Sequence, residues 1–309
     1  MMRQPAFSAD WLRDAIADLP TEGGGLLGHG LWGPTVDLRD GTVLKLVRHR
    51  AGIGDGLDIQ GNEARVLAAR GGRRLGPLEI PRLVAHGIFA AHTAAATHGY
   101  AAWLRLSRVA GTPFGEERLA RLSGRERERF AAGFGEAIAV LQSEANRVLG
   151  RSAALDDRVR ALLAGLATAS PSDADLCAAL SAILGAIPDK RRGGFVHGDA
   201  HLSNLLVDED GLVCGVIDFA EAGRGVPEID LAYLHWLPEI AAGVRRSYEA
   251  AAHRIDEAAY HLAGAIYALT GAVITEQNGG SDDPAADRRL LGVCLEAIGL
   301  GRSRKKPAR

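Results

Sequence analysis

The stretch Phe195-Val196-His197-Gly198-Asp199-Ala200-His201-Leu202-Ser203-Asn204, followed by Val216-Ile217-Asp218-Phe219, decides how this chain is read. It sets out an aspartate, an asparagine five residues on, and a second aspartate after an apolar run. A carboxylate can accept a hydrogen bond from a hydroxyl and align it for in-line attack. An amide oxygen and a second carboxylate are hard donors suited to Mg²⁺. Asp199 is therefore expected to act as base in a phosphoryl transfer, with Asn204 and Asp218 as metal ligands. His197 is expected to hold the loop backbone. The same string admits another reading, a metallohydrolase using His197, Asp199 and His201, because the two histidines are four apart. That spacing needs a helix, whereas the segment contains glycine and leads into a strand. His235, His253 and His261 are scattered and serve equally as core or surface residues.

Upstream, Gly28-His29-Gly30-Leu31-Trp32-Gly33 fits G-x-G-x-x-G. A dinucleotide-binding turn would lead directly into a helix, but here Pro34 and β-type residues follow, so the string reads as a glycine-rich hairpin over phosphates. Gly28 and Gly30 are the expected phosphate-loop positions; an ordinary flexible turn is the alternative. Lys45 lies in the apolar run Val43–Val47 and either faces solvent or contacts nucleotide phosphates. In the second case a helical carboxylate should hold it, and Glu63 is the candidate.

The rest of the chain sorts into two regions. Leu26 to Leu38 and Thr42 to Val47 read as strands, Ile59 to Ala69 as a helix with Val66 and Leu67 inward, and Ala101 to Val109 as a strand stopped by Gly111-Thr112-Pro113. Ser123-Gly124-Arg125-Glu126 is a capping box opening a helix to about Arg147, and Ser172–Asp175 opens another to Ile187. Glu209-Asp210-Gly211 marks a hairpin turn, and the chain is helical again from Glu228. Leu262 to Ile274 is too short to span a bilayer and reads as a core helix. The expected organisation is α+β and bilobal: a small β-rich N-terminal lobe with one helix over 1–106, a hinge at 107–112, and a larger, mainly helical lobe over 113–309.

Of the 309 residues, 47% are apolar and 24% charged, with a net charge of −2. This is a soluble globular composition that gives no reason to expect nucleic acid or an anionic membrane as partner. The basic run at 302–306 reads as a solvated tail, and Met1–Asp18 as too polar for a signal peptide. The three cysteines form no CxxC, which fits a reducing cytoplasm and suggests neither a zinc knuckle nor a redox pair. Cys214 is expected to be a small buried hydrophobe. Tyr233, Trp236, Tyr248, Tyr260 and Tyr267 could line a pocket but read better as core.

With these residues in view, the chain resembles the aminoglycoside phosphotransferase and choline kinase family, protein-kinase-like kinases of small molecules. The resemblance runs from about Leu26 to Trp236. It is carried by His197-Gly198-Asp199 with Asn204, by Val216-Ile217-Asp218-Phe219, and by Gly225-Val226-Pro227-Glu228-Ile229-Asp230-Leu231-Ala232. It implies ATP (GTP possible) and Mg²⁺ as cofactors, with Asp199 as base and Asn204 and Asp218 on the metal. It implies Lys45 on the phosphates and paired with Glu63, and the backbone of Ser107 and Val109 on the purine. Asp230 would have a structural role, accepting hydrogen bonds from the catalytic loop; a helix N-cap is its alternative.

Gly198 stands where protein kinases carry arginine, Ala220 replaces the glycine usual after Asp-Phe, and only eleven residues separate Asp218 from Asp230. These departures favour a small-molecule hydroxyl as acceptor, such as an aminoglycoside or other antibiotic, over a protein substrate. The acceptor is expected on the helices after Asp230. A non-catalytic nucleotide-binding member of the same fold is the alternative.

Overall fold

The computed structural model describes residues 25–30, 32–48, 56–70, 74–145, 174–186, 194–278 and 284–300. The N-terminal tail, the basic run at 302–306 and the ends expected near Arg147, Ser172 and Ile187 lie outside them.

The N-terminal region is one antiparallel sheet of β1 (Gly25–His29), β2 (Pro34–Asp37), β3 (Thr42–Arg48), β4 (Leu83–Ile88) and β5 (Tyr100–Ser107), in the order β1-β2-β3-β5-β4. β3 is central and covered on both faces. Leu44 and Leu46 pack with Val36, Leu38, Phe89 and Tyr100, while Val47 joins the main core on the other face. Lys45 shares that second face, by the period of two. Across it lies helix α1 (Gly56–Arg70), one turn longer at its start than the sequence suggests. Ile59, Glu63, Val66 and Leu67 recur at helical spacing and form its buried stripe.

A short helix α2 (Ala94–Thr97) precedes β5, and the strand β6 (Thr112–Pro113) follows it. The C-terminal region then opens with α3 (Glu116–Arg121) and α4 (Gly124–Ala145). The capping box at the start of α4 is present: the Ser123 amide donates to Glu126 Oε2 at 2.9 Å, and the Glu126 amide donates to Ser123 Oγ at 3.4 Å. Beyond lie α5 (Ala174–Ala186), then β7 (Gly194–Val196), β8 (Leu205–Val207), β9 (Val213–Val216) and β10 (Gly223–Gly225). β10 pairs with β7, and β6, β8 and β9 form a second small sheet. The chain finishes with a 3₁₀ segment Pro227–Trp236, α6 (Pro238–Ala251), α7 (Glu257–Asn278) and α8 (Pro284–Ala297).

The two regions share a core, because Val47, Val66 and Leu104 sit in one apolar cluster with Phe134, Phe195 and Phe219. Backbone bonds add to the join. The Glu79 amide donates to the Cys214 carbonyl at 2.8 Å, and the Val216 amide donates to the Glu79 carbonyl at 3.0 Å. Cys214 is half-buried rather than buried, because β9 lies at the margin of its small sheet; the fully buried cysteine is Cys294. The expected core role of the five aromatic residues holds for Tyr248 and Tyr260, whereas Tyr233, Trp236 and Tyr267 are half-buried. No helix of the described residues is long and apolar enough to cross a membrane.

Candidate active site

β3, α1 and the turn after β9 bring three charges together. Lys45 Nζ lies 2.8 Å from Glu63 Oε2 and 2.5 Å from Asp218 Oδ1. The solvent-facing alternative for Lys45 is thereby excluded, since the residue is only 8% exposed. The other Glu63 oxygen accepts the Phe219 amide at 3.2 Å, so α1 holds the Asp218 turn as well as the lysine. Burial acts to lower the Lys45 pKa, but the two carboxylates outweigh it and hold the ammonium above its ordinary value. Burial alone would raise Asp218; the ammonium holds its carboxyl below the usual carboxylate range. Glu63 is pushed up by burial, against the pull of Lys45. One ammonium facing two acids leaves a site that a further cation can enter.

Asp218 adopts φ 64° and ψ 71°, left-handed backbone that is uncommon outside glycine. Such strain persists where surrounding contacts fix it, and the Asn62 side chain supplies two. Its Nδ2 donates to the carbonyls of Ala220 at 2.8 Å and Ala222 at 2.9 Å.

The Asp199 loop is held from behind. Asp230 accepts the His197 amide at 3.0 Å, the Gly198 amide at 2.8 Å and Gln142 Nε2 at 3.0 Å. Burial pushes the Asp230 carboxyl up, and these donors oppose the shift. Gln142 is itself fixed by the Tyr248 hydroxyl at 2.7 Å. Asp230 lies inside the 3₁₀ segment, where Val226 is the cap, so the N-cap alternative does not apply. The Tyr267 hydroxyl donates to the Gly198 carbonyl.

His197 is fully buried, with Nε2 on the Ile217 carbonyl at 2.9 Å and Nδ1 accepting the Asp199 amide at 3.3 Å. Both ring nitrogens are committed to backbone, and residues 197–201 are not helical. The metallohydrolase reading therefore fails at its first ligand. His201 instead leans on Asp199, with Nε2 3.4 Å from Oδ2. Burial works to lower its pKa, but Asp199 and the nearby acids Asp218 and Glu116 hold the imidazole above its ordinary value.

Asn204 joins the two halves. Its Nδ2 donates to the Asp199 carbonyl at 2.9 Å and lies 3.3 Å from Asp199 Oδ2. Its backbone carbonyl accepts the Ile217 amide at 3.0 Å, next to Asp218. With the nitrogen turned to Asp199, the amide oxygen is the atom left for a ligand. A neutral amide oxygen and a carboxylate, on residues drawn together by the Asn204–Ile217 backbone bond, are hard donors of the type that fits Mg²⁺.

Gly198 shows why no other residue suits its place. It has φ 81°, and a Cβ there would lie 2.4 Å from the Glu221 carbonyl oxygen. Gly198→Ala is expected to destabilise the chain by about 1–3 kcal/mol and displace Asp199, read as a lower urea midpoint together with lower activity.

At the other end, Gly28 and Gly30 are exposed on the β1–β2 hairpin, and a Cβ at Gly28 would meet nothing within 4 Å. The glycine that the packing demands is Gly33, with φ 153° and a would-be Cβ 2.2 Å from the Leu46 carbonyl oxygen. The Ser107 amide donates to the Arg82 carbonyl at 2.8 Å and is thereby taken up within the N-terminal region. Val109 is buried against Gly215 of β9.

Beside the loop is a cleft of about 640 Å³ lined by Gly115, Glu116, Glu117, Arg118, Arg121 and Ser203. Its wall is α3, and none of its lining residues follows Asp230, where the acceptor was expected. Glu116 of that wall accepts the Tyr233 hydroxyl at 2.9 Å, and the Tyr233 ring lies 5.7 Å from His201.

A sequence model of the phosphotransferase enzyme family matches residues 29–263. The chain belongs to that family. No curated protein matches the sequence at a significant level. Among solved structures, a thermostable mutant of aminoglycoside phosphotransferase APH(4)-Ia in its apo form superposes with TM-score 0.63 at 16% identity, covering 94% of this chain and 99% of that one. The GDP and kanamycin complex of APH(2″)-IIIa gives 0.62 at 16% identity, over 94% and 96% of the two chains. The streptomycin–ATP–APH(2″)-IIa ternary complex gives 0.57 at 16% identity, over 97% and 100%. The fold of this chain is thus protein-kinase-like, α+β, with an antiparallel-sheet N-terminal region and a helical C-terminal region.

Family membership makes the buried pair a sharp test. Lys45→Met would leave Glu63 buried without its partner. It is expected to cost about 3–5 kcal/mol in stability, and Lys45→Arg is not expected to restore it, because a planar fork replaces a compact ammonium between two carboxylates. Denaturant midpoints of both variants check this.

Proposed function

We propose that the chain transfers the γ-phosphoryl group of ATP, with GTP as an alternative donor, to a hydroxyl of a small molecule. Aminoglycosides and other hydroxylated antibiotics are the first acceptors to test. The observation that carries this reading is the convergence of Lys45, Glu63 and Asp218 on one side and Asp199 and Asn204 on the other, joined through the Asn204–Ile217 backbone bond.

In this reading Asp199 accepts a hydrogen bond from the acceptor hydroxyl, orients its oxygen towards the γ-phosphorus and takes the proton as the P–O bond forms. Asn204 and Asp218 would hold Mg²⁺, which supplies charge neutralisation on the nucleotide phosphates. Lys45 contacts those phosphates and is kept in place by Glu63. The hairpin bearing Gly28 and Gly30 covers them, and backbone groups of Ser107 and Val109 meet the purine. Asp230, Gln142 and Tyr267 fix the loop backbone, so Asp199 need not be ordered at the moment of reaction. Residues 1–106 would form the nucleotide lobe, 107–112 the hinge, and 113–309 the catalytic and acceptor lobe.

The α3 cleft opens beside Ser203, one residue from Asn204, and is the proposed acceptor site. Its acids Glu116 and Glu117 stand beside Arg118 and Arg121, a mixed wall that suits a polyhydroxylated acceptor carrying both polar and cationic groups. A coupled assay for ADP release, run over a panel of aminoglycosides, amino alcohols and sugars, tests the proposal. Acceptor-dependent ADP release supports it; tight nucleotide binding with no release for any acceptor would favour a non-catalytic nucleotide-binding role.

A further inference from the structure

In the C-terminal region, His235, His261 and Cys294 come together from three separate elements. His235 lies near the end of the 3₁₀ segment, His261 in the second turn of α7, and Cys294 in α8. One potential ligand atom from each lies within 4.8 Å of the other two, and among the described residues this is the group of three such side chains that closes so far. The histidine rings are 5.2 Å apart at their centroids. None of the three takes part in the proposed transfer chemistry.

Two further observations point to a bound ion. His261 Nδ1 is buried and has no hydrogen-bond partner among the described residues. A buried ring nitrogen without a partner is uncommon and calls for an explanation; an unrecorded ion is one. The second is the space left at Gly264, one turn after His261. A Cβ there would fall 2.6 Å from His235 Nε2 and 3.0 Å from Cys294 Sγ, so only glycine lets the imidazole and the sulfur meet against this face of α7. His235 Nε2 is otherwise engaged only by a long 3.4 Å contact to the Tyr260 carbonyl, weak enough to yield to a metal ion.

We propose that His235, His261 and Cys294 form a three-ligand zinc site that ties the 3₁₀ segment to α7 and α8. Two imidazoles and a thiolate are a zinc-type donor set, soft enough to exclude Mg²⁺ and distinct from the oxygen ligands of the catalytic loop. Zn–N and Zn–S bonds of about 2.0–2.3 Å at tetrahedral angles place ligand atoms about 3.3–3.6 Å apart, so the three side chains close by little more than an ångström. Both histidines are half-buried, which gives the ion a route from solvent, and a water completes the fourth position.

Cys294 is a free cysteine. On binding, the S–H bond breaks, sulfur keeps the electron pair as the Zn–S bond forms, and the proton passes to solvent. Arg245 and Glu257, the charged groups beside the site, form an ion pair and cancel one another. The site would brace the segment that carries Asp230 and Tyr233 against the helix that carries Tyr267. This proposal stands independently of the transfer reading.

The test uses the full chain, stripped with chelator and titrated with Co²⁺. One equivalent is expected to give an intense visible spectrum of tetrahedral cobalt with a sulfur-to-cobalt charge-transfer band. Zn²⁺ should displace it and raise the Tm. Cys294→Ser and His261→Gln should each abolish the band, and His261→Gln, at a half-buried position, keeps the test decisive if the cysteine variant does not fold. Cobalt at the catalytic oxygens would give no sulfur band. Weak octahedral bands only, or a sulfur band that survives both substitutions, would overturn the proposal.

Discussion

Asp199→Asn is expected to lower kcat for phosphoryl transfer by about 10²–10⁴-fold while leaving the Kd for ATP within about threefold. The loss follows from removing the group that orients and deprotonates the acceptor. The nucleotide contacts fall to other residues, so affinity should survive. Asparagine is the informative choice because the loop should not move. Asn204 Nδ2 bonds mainly to the Asp199 backbone carbonyl, which the substitution keeps, and the new amide oxygen can still receive the longer 3.3 Å contact. Single-turnover rates beside calorimetric affinities separate the two effects. A rate within about tenfold of wild type would remove Asp199 from its proposed role.

The second large effect is expected at Asp230, which touches neither nucleotide nor acceptor in this account. Asp230→Ala leaves the His197 and Gly198 amides buried without an acceptor and takes from Gln142 Nε2 one of its two, the Pro227 carbonyl being the other. A loss of about 3–5 kcal/mol in folding stability is expected, since each orphaned donor costs about 1–3 kcal/mol and part of the site relaxes. Activity should fall with it, because Gly198 immediately precedes Asp199. Urea denaturation and kcat measured on the same preparations check this. A variant with wild-type midpoint and turnover would show the loop to be self-supporting.

Much of this site could be read in the sequence because its chemistry is local. Asp199 and Asn204 lie within six residues, and the Asp218-Phe219 turn follows through a single hairpin. The N-terminal partners were harder. Lys45 sits in a strand covered on both faces, where alternation carries no signal about which face meets solvent. Glu63 did carry a signal: it stands four residues after Ile59 and four before Leu67, within the apolar stripe of α1. Gln142 left a similar trace as a polar residue closing the apolar run Ala137–Leu141. Asn62 left none, since its partners are carbonyls about 160 residues away. The glycine string misdirected attention, because Gly33 is demanded by packing against Leu46 while Gly28 and Gly30 are free of such constraint. The histidines at 235 and 261 looked scattered because only the packing of the 3₁₀ segment, α7 and α8 on one another brings them to Cys294. The wall of the cleft at α3 was missed for the same reason: its approach to Ser203 is tertiary.

The central claim is that the two halves of the site act on one phosphoryl group. Mass spectrometry of a panel of hydroxylated acceptors, incubated with Mg-ATP and either the wild-type chain or Asp199→Asn, tests it most directly. The account predicts at least one acceptor gaining about 80 Da, the mass of HPO₃, with wild type and almost none with the variant. Equal gain with both proteins, or ATP consumed with the phosphate released only to water, would contradict it.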